Sequence, residues 1–224
     1  MSVRGRVGVV LTCVVVAVLV ALYAALRSPP AVPLPSAGSV HLGPEPGQDV
    51  SGYLASLQFR RPPPGSSAPA LVQFDAERTT ADALAAVAGT TVVSAVFRVE
   101  LPRVQTALRF EAVEPGVPAA TALDNARQRA AAAATTDAGR LTGRPRAVAA
   151  VEVARLTGPT CACVLALVVE GDGAALAQVA DRSGVRAVDA APAGTTPREL
   201  ALSPLLPGQT ALAGPLPDDG GVPT

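Results

Sequence analysis

The chain reads as an α+β (or α/β) protein: a ferredoxin-like β-α-β-β-α-β core with an extra βα unit, preceded by one transmembrane helix. Three observations lead there. Helical and strand periodicities alternate between residues 70 and 191. Two neighbouring segments, "VVSAVFRVEL" and "VQTALRFEAV", alternate apolar and polar residues in step, as the arms of a hairpin do. And residues 7–26, "VGVVLTCVVVAVLVALYAAL", carry no charge.

At about 1.5 Å per residue, that last segment spans close to 30 Å, the thickness of a bilayer core. Arg4 and Arg6 precede it, Arg27 follows it, and no A-x-A cleavage pattern comes after. The positive-inside bias then predicts a six-residue cytoplasmic stub (1–6), a membrane anchor (7–26) and everything beyond outside the cytoplasm. A cleaved signal peptide is the alternative. Cys13 lies early in the run, where it faces lipid or packs.

Residues 27–69 are Pro- and Gly-rich and predict an extended spacer, interrupted by a short amphipathic helix over 49–59. Asp49 is its N-cap, with Val50, Tyr53, Leu54 and Leu57 on one face. His41, the only histidine, is read as a solvated side chain of this spacer.

The domain proper covers 70–191. "ALVQF" predicts a strand, and "TTADALAAVAG" a helix capped by Thr79 with Asp82 and ended at Gly89. In the hairpin, a two-residue turn at Pro102-Arg103 pairs Leu101 with Val104, Phe97 with Leu108 and Val93 with Ala112. Arg98, Arg109 and Glu111 then fall on the opposite face, toward water or a partly covered surface. "GVPAATALDNARQRAAAAATTDAG" predicts a long helix. Residues 147–156 read as a further helix stopped by Gly158-Pro159; a strand is the competing reading. "CACVLALVVE" is a continuous apolar strand, hence central. Asp172 caps a helix ended by Gly184, and "VRAVDAAP" is the last strand. Residues 192–224 predict an extended, partly disordered tail.

Composition adds constraints. All 18 basic residues are arginine, isoleucine is absent, and net charge is zero. Such usage reflects a GC-rich genome, so the high alanine content speaks less strongly for helix than usual. No basic block or Arg/aromatic interleaving supports nucleic-acid binding. The segment "LAQVADRSGVRAVDAAP" resembles the closing helix-strand of the ferredoxin-like propeptide inhibitors of subtilisin-type proteases, which would imply a protease-binding module. The whole chain resembles uncharacterised single-pass membrane-anchored or secreted proteins of actinobacteria, which implies a cell-envelope location and no activity.

Cys161 and Cys163 are the one constellation with chemistry of its own. Outside the cytoplasm, thiols tend to oxidise. Yet i and i+2 residues of a strand hold their side chains parallel and too far apart, so a mutual disulfide requires a kink at the strand's start. A staple is narrowly favoured over a reduced buried pair, a bond to a partner or second copy, and a redox or metal role. No histidine, methionine or third cysteine stands near enough in sequence to complete a metal shell.

No nucleophile elbow, zincin helix, phosphate loop or EF-hand loop occurs. "EGDG" reads as a turn with a helix cap, and Glu111 with Glu114 as solvated. The sequence therefore points away from an enzyme, a cofactor and a small-molecule ligand. It predicts a tethered domain whose partners are the bilayer and an envelope or secreted protein.

Overall fold

The computed structural model describes residues 39–223. The cytoplasmic stub, the anchor over 7–26, Cys13 and the start of the spacer lie outside the described residues. Among the described residues, no helix is long and apolar enough to cross a membrane.

The elements are β1 (Val40–Leu42), α1 (Val50–Ser56), β2 (Ser67–Arg78), α2 (Thr80–Ala86), β3 (Thr91–Phe97), β4 (Arg109–Ala112), α3 (Ala119–Arg140), α4 (Gly143–Thr157), β5 (Val164–Asp172), α5 (Gly173–Ala180), β6 (Val185–Ala190) and β7 (Leu200–Leu202). Strands β2 to β6 form one sheet in the order β4-β3-β5-β2-β6, and β1 pairs with β7 in a small parallel ribbon. Every neighbour in the large sheet is antiparallel, which makes the fold α+β.

Consecutive strands joined by helices are parallel with one strand inserted between them, the split β-α-β arrangement of ferredoxin-like folds. Strand β5 lies between β2 and β3, β2 lies between β5 and β6, and β4 is added outside β3 as an edge strand. Burial explains the choice. The first six residues of β5 are all buried, whereas β4 is Arg-Phe-Glu-Ala and only its first residue is buried. The apolar strand belongs at the centre and the charged one at the edge.

Helices α2 to α5 cover one face of the sheet. The stripe Ala122, Ala126, Ala130 and Ala134 of α3 is wholly buried. Small side chains at that spacing allow α3 to approach its neighbours closely. Residues 147–156 are helical within α4, and Pro145 stands in its first turn, where a missing N–H is harmless. Gly158 ends α4 in an extended conformation, with φ −64°, and not in a left-handed turn. The C-terminal carbonyls of α4 are met instead by Arg127, which donates to the carbonyls of Leu156 and Gly158. Thr79, Asp49 and Asp172 cap their helices as expected.

The other face is covered by chain that the sequence assigns to a spacer and a tail. Ribbon β1/β7 packs Leu42 over Leu71, Val96, Leu165 and Val168, while α1 and the turn that follows it pack Val50, Tyr53 and Leu57 with Ala187 and Leu205. Residues 192–223 are extended but docked rather than disordered. The backbone N–H of Ser203 bonds to Leu42, that of Val50 to Ala211, and that of Gly220 to Arg103. His41 is not a free spacer side chain either. It sits in β1 opposite Ala201, its ring Nδ1 3.3 Å from Glu45. Gly43 follows with φ +113°; a β-carbon there would stand 1.8 Å from the Ser203 carbonyl, so only glycine fits.

Candidate functional site

The hairpin exposes two large apolar side chains, Leu108 and Phe110, and it does so by departing from the expected register. The turn is where the sequence places it: Leu101 bridges Val104, and the Val104 N–H bonds to the Leu101 carbonyl at 3.2 Å. Further along, Phe97 pairs with Arg109 and Val96 with Phe110. The second arm therefore holds one extra residue between turn and ladder, a bulge that reverses its faces.

Arg109 and Glu111 consequently face the helices, where Glu111 is partly covered and Arg109 is buried more deeply than the expected water-facing or partly covered placement. Arg109 bonds Glu152 of α4 at 2.5 Å and Asp137 of α3 at 3.1 Å, and both Arg109 and Glu152 are buried. The second Glu152 oxygen accepts from the Ala107 N–H. Glu111 meets Arg129 of α3, which also reaches Glu114 and the Ala112 carbonyl. The helix layer presents charge at this edge of the sheet, and pairing it outweighs burying Leu108 and Phe110 there. Arg98 faces the opposite side and is buried too, 2.5 Å from an equally buried Glu77.

Leu108 and Phe110 are thereby turned to the face that carries the ribbon, but beyond its cover; Phe110 is 50% exposed and Leu108 36%. Beside them lies a groove of about 380 Å³ whose apolar walls include Pro44, Val104, Pro204, Leu206 and Leu216, with Arg98 and Gln105 as polar points. Its far wall is the docked tail, held by Gln105, whose N–H donates to Asp218 and whose side-chain amide donates to the Leu216 carbonyl. That first bond, and then Arg144, hold the Asp218 carboxyl below the ordinary range. Strand β4 pairs with β3 alone and is an edge of the sheet, and it begins one residue after Leu108, which lines the groove.

Cys161 and Cys163 lie before β5 rather than in it. They stand at disulfide distance from each other, with α-carbons 5.3 Å apart. The kink that the sequence requires is thus present in the α4–β5 loop. Cys163 is fully buried and Cys161 half-buried, lining a cleft of about 330 Å³ with Glu100, Ala154, Arg155 and Thr160. A cross-link closing three residues removes little chain entropy, about 1.6 kcal/mol by the loop-closure relation, against about 3 for a fifteen-residue loop.

A second polar centre, unflagged by any motif, binds the cover to the sheet. Asp189 of β6 is fully buried, and its carboxylate accepts from the Gly43 N–H at 2.8 Å, the Tyr53 hydroxyl at 3.1 Å and Arg60 at 3.1 Å. Gln73 of β2 donates to the Tyr53 oxygen and accepts from the Leu205 N–H. Burial, then the Asp189 charge, pushes the Tyr53 hydroxyl well above the usual tyrosine range. The signal in the sequence was a single acid, Asp189, in a strand whose only other charged residue is Arg186. Its partners lie 129 to 146 residues away, which no spacing rule reaches.

Glu170 and Asp172, of "EGDG", lie at the end of β5, and Asp172 accepts from the Ala175 N–H as the cap of α5. Among the described residues, no group of three or more His, Cys, Asp or Glu side chains could hold a metal ion. No protein-family model matches this chain, and no curated protein or solved structure matches it either.

Proposed function

We propose that this is a tethered extracytoplasmic protein-binding module that takes an extended segment of an envelope partner along β4. The observation that carries the reading is an open sheet edge, β4, which carries the half-exposed Phe110, next in sequence to Leu108, which lines the apolar groove. Strand addition suits such a place: backbone hydrogen bonds supply affinity, and alternate side chains enter the groove to supply specificity. An exposed aromatic beside a pocket is the usual anchor of such contacts. On this reading the protein is a binder rather than an enzyme, and residues 7–26 hold it in the cell membrane facing outward. The docked course of residues 192–223 lends no support to an inhibitor acting through a free tail.

Site-specific photo-crosslinking of the full-length protein in its native envelope tests this. A crosslinker at position 108 or 110 should capture one envelope protein, and a crosslinker at Gln128, on the exposed side of α3, should not. A synthetic peptide copied from the captured segment should compete. Capture of the same set of proteins from all three positions, or of nothing from 108 and 110, would overturn the reading.

A further inference from the structure

The bond between Cys161 and Cys163 joins no two elements of the fold. It closes over Ala162 alone, inside the loop that leads from α4 to β5. The position of Cys163 is secured without it. Its N–H bonds to the Arg78 carbonyl of β2 at 3.0 Å, and its carbonyl accepts from the Arg98 N–H, beside β3, at 2.8 Å. Opening the disulfide therefore leaves the start of β5 tied to both neighbouring strands.

Access is unequal. Both cysteines line an open cleft, but Cys163 has no exposed surface, while Cys161 is half-buried beside an exposed Ala162. Arg155 and Glu100, of opposite charge, line the same cleft. The cleft, about 330 Å³, has room for a cysteine side chain and its flanking backbone. Only one of the two sulfurs is thus offered to an incoming thiolate, and attack at that sulfur sets the direction of the reaction.

We propose that Cys161–Cys163 is an exchangeable disulfide that takes two electrons from a partner dithiol. The partner's thiolate attacks Cys161 Sγ; the Cys161–Cys163 bond breaks, and Cys163 leaves as a thiolate that takes a proton. A mixed disulfide now joins the partner to Cys161. The partner's second thiol, deprotonated, attacks its own sulfur of that mixed disulfide. Cys161 departs as a thiolate and is protonated in turn. The partner ends as a disulfide, and this chain holds two thiols.

The test uses the full-length chain with Cys13→Ser, so that only the pair reports. It is equilibrated in reduced and oxidised glutathione at graded ratios, acid-quenched, alkylated and weighed intact, with circular dichroism recorded alongside. Two alkyl groups should appear within the glutathione range while the spectrum stays native. Cys163→Ser, which leaves the accessible sulfur, should form a mixed disulfide with glutathione at least tenfold faster than Cys161→Ser. The double serine variant should keep the native spectrum. Reduction only after unfolding, equal rates for the two single variants, or loss of fold in the double variant would each overturn the proposal.

Discussion

Replacing Asp189 with alanine removes the acceptor shared by three donors from three separate parts of the chain. Gly43 N–H and the Tyr53 hydroxyl are buried and lose their partner outright, whereas Arg60, whose side chain is 43% exposed, turns to water. A buried donor left unpaired costs about 1–3 kcal/mol, and loss of one member of a buried charged pair about 3–5. A loss of about 4 kcal/mol follows, and with about 2–4 °C per kcal/mol for a chain of this size the Tm should fall by about 8–16 °C. Asp189→Asn retains an acceptor oxygen and should fall between. Urea denaturation and differential scanning calorimetry on the full-length chain give the magnitude. Hydrogen exchange gives the place: Gly43 and Leu205 amides should lose protection first, because both lie in the cover that this network holds to the sheet. A loss under about 1 kcal/mol, with those amides unchanged, would refute the view that the carboxylate holds the cover in place.

Two further outcomes follow from the charged groups. Glu152→Ala strands the buried Arg109 and the Ala107 N–H, and should cost about 3–5 kcal/mol in urea denaturation; Asp137→Ala, at a more exposed partner, should cost under about 1. Stability should also bend at both ends of the pH scale. Hydrogen bonds from Arg127 and Arg140 hold Asp124 and Asp137 below the ordinary carboxyl value of 3.8, so their contribution is present above that value and fades as pH falls through the lower folded values. Tyr53 is shifted upward from 10.0, so its contribution is intact below that value and declines as pH rises beyond it; Tyr53→Phe should flatten the alkaline limb.

Much of the fold was legible because it rests on local signals. Caps at Asp49, Thr79 and Asp172 stand one residue before the helices they begin, and their hydrogen bonds span three residues. The apolar run of β5 announced a central strand, and the turn at Pro102-Arg103 announced a hairpin. The hairpin's register was not legible. Alternation in "VQTALRFEAV" placed Leu108 and Phe110 inward, and nothing in ten residues reveals that α3 and α4 bring Asp137, Arg129 and Glu152 to that edge. Low-complexity composition misled in the same way at both ends of the domain. Proline and glycine made residues 39–66 and 192–223 look loose, yet each segment supplies what the other lacks, β1 to β7 and Gln48 to Ala213.

The sequence by itself determined the succession of helices and strands from β2 to β6, the caps that delimit them, the cysteine pair and its need for a kink, and the scarcity of catalytic groups. Each depends on residues within one turn or one strand of each other. Only the tertiary structure decided which strand lies at the centre of the split units, which face of β4 meets charge, what covers the second face of the sheet, and which of two neighbouring sulfurs is open to attack. Those outcomes turn on contacts between residues far apart in the chain, where burial and charge pairing outweigh local preference.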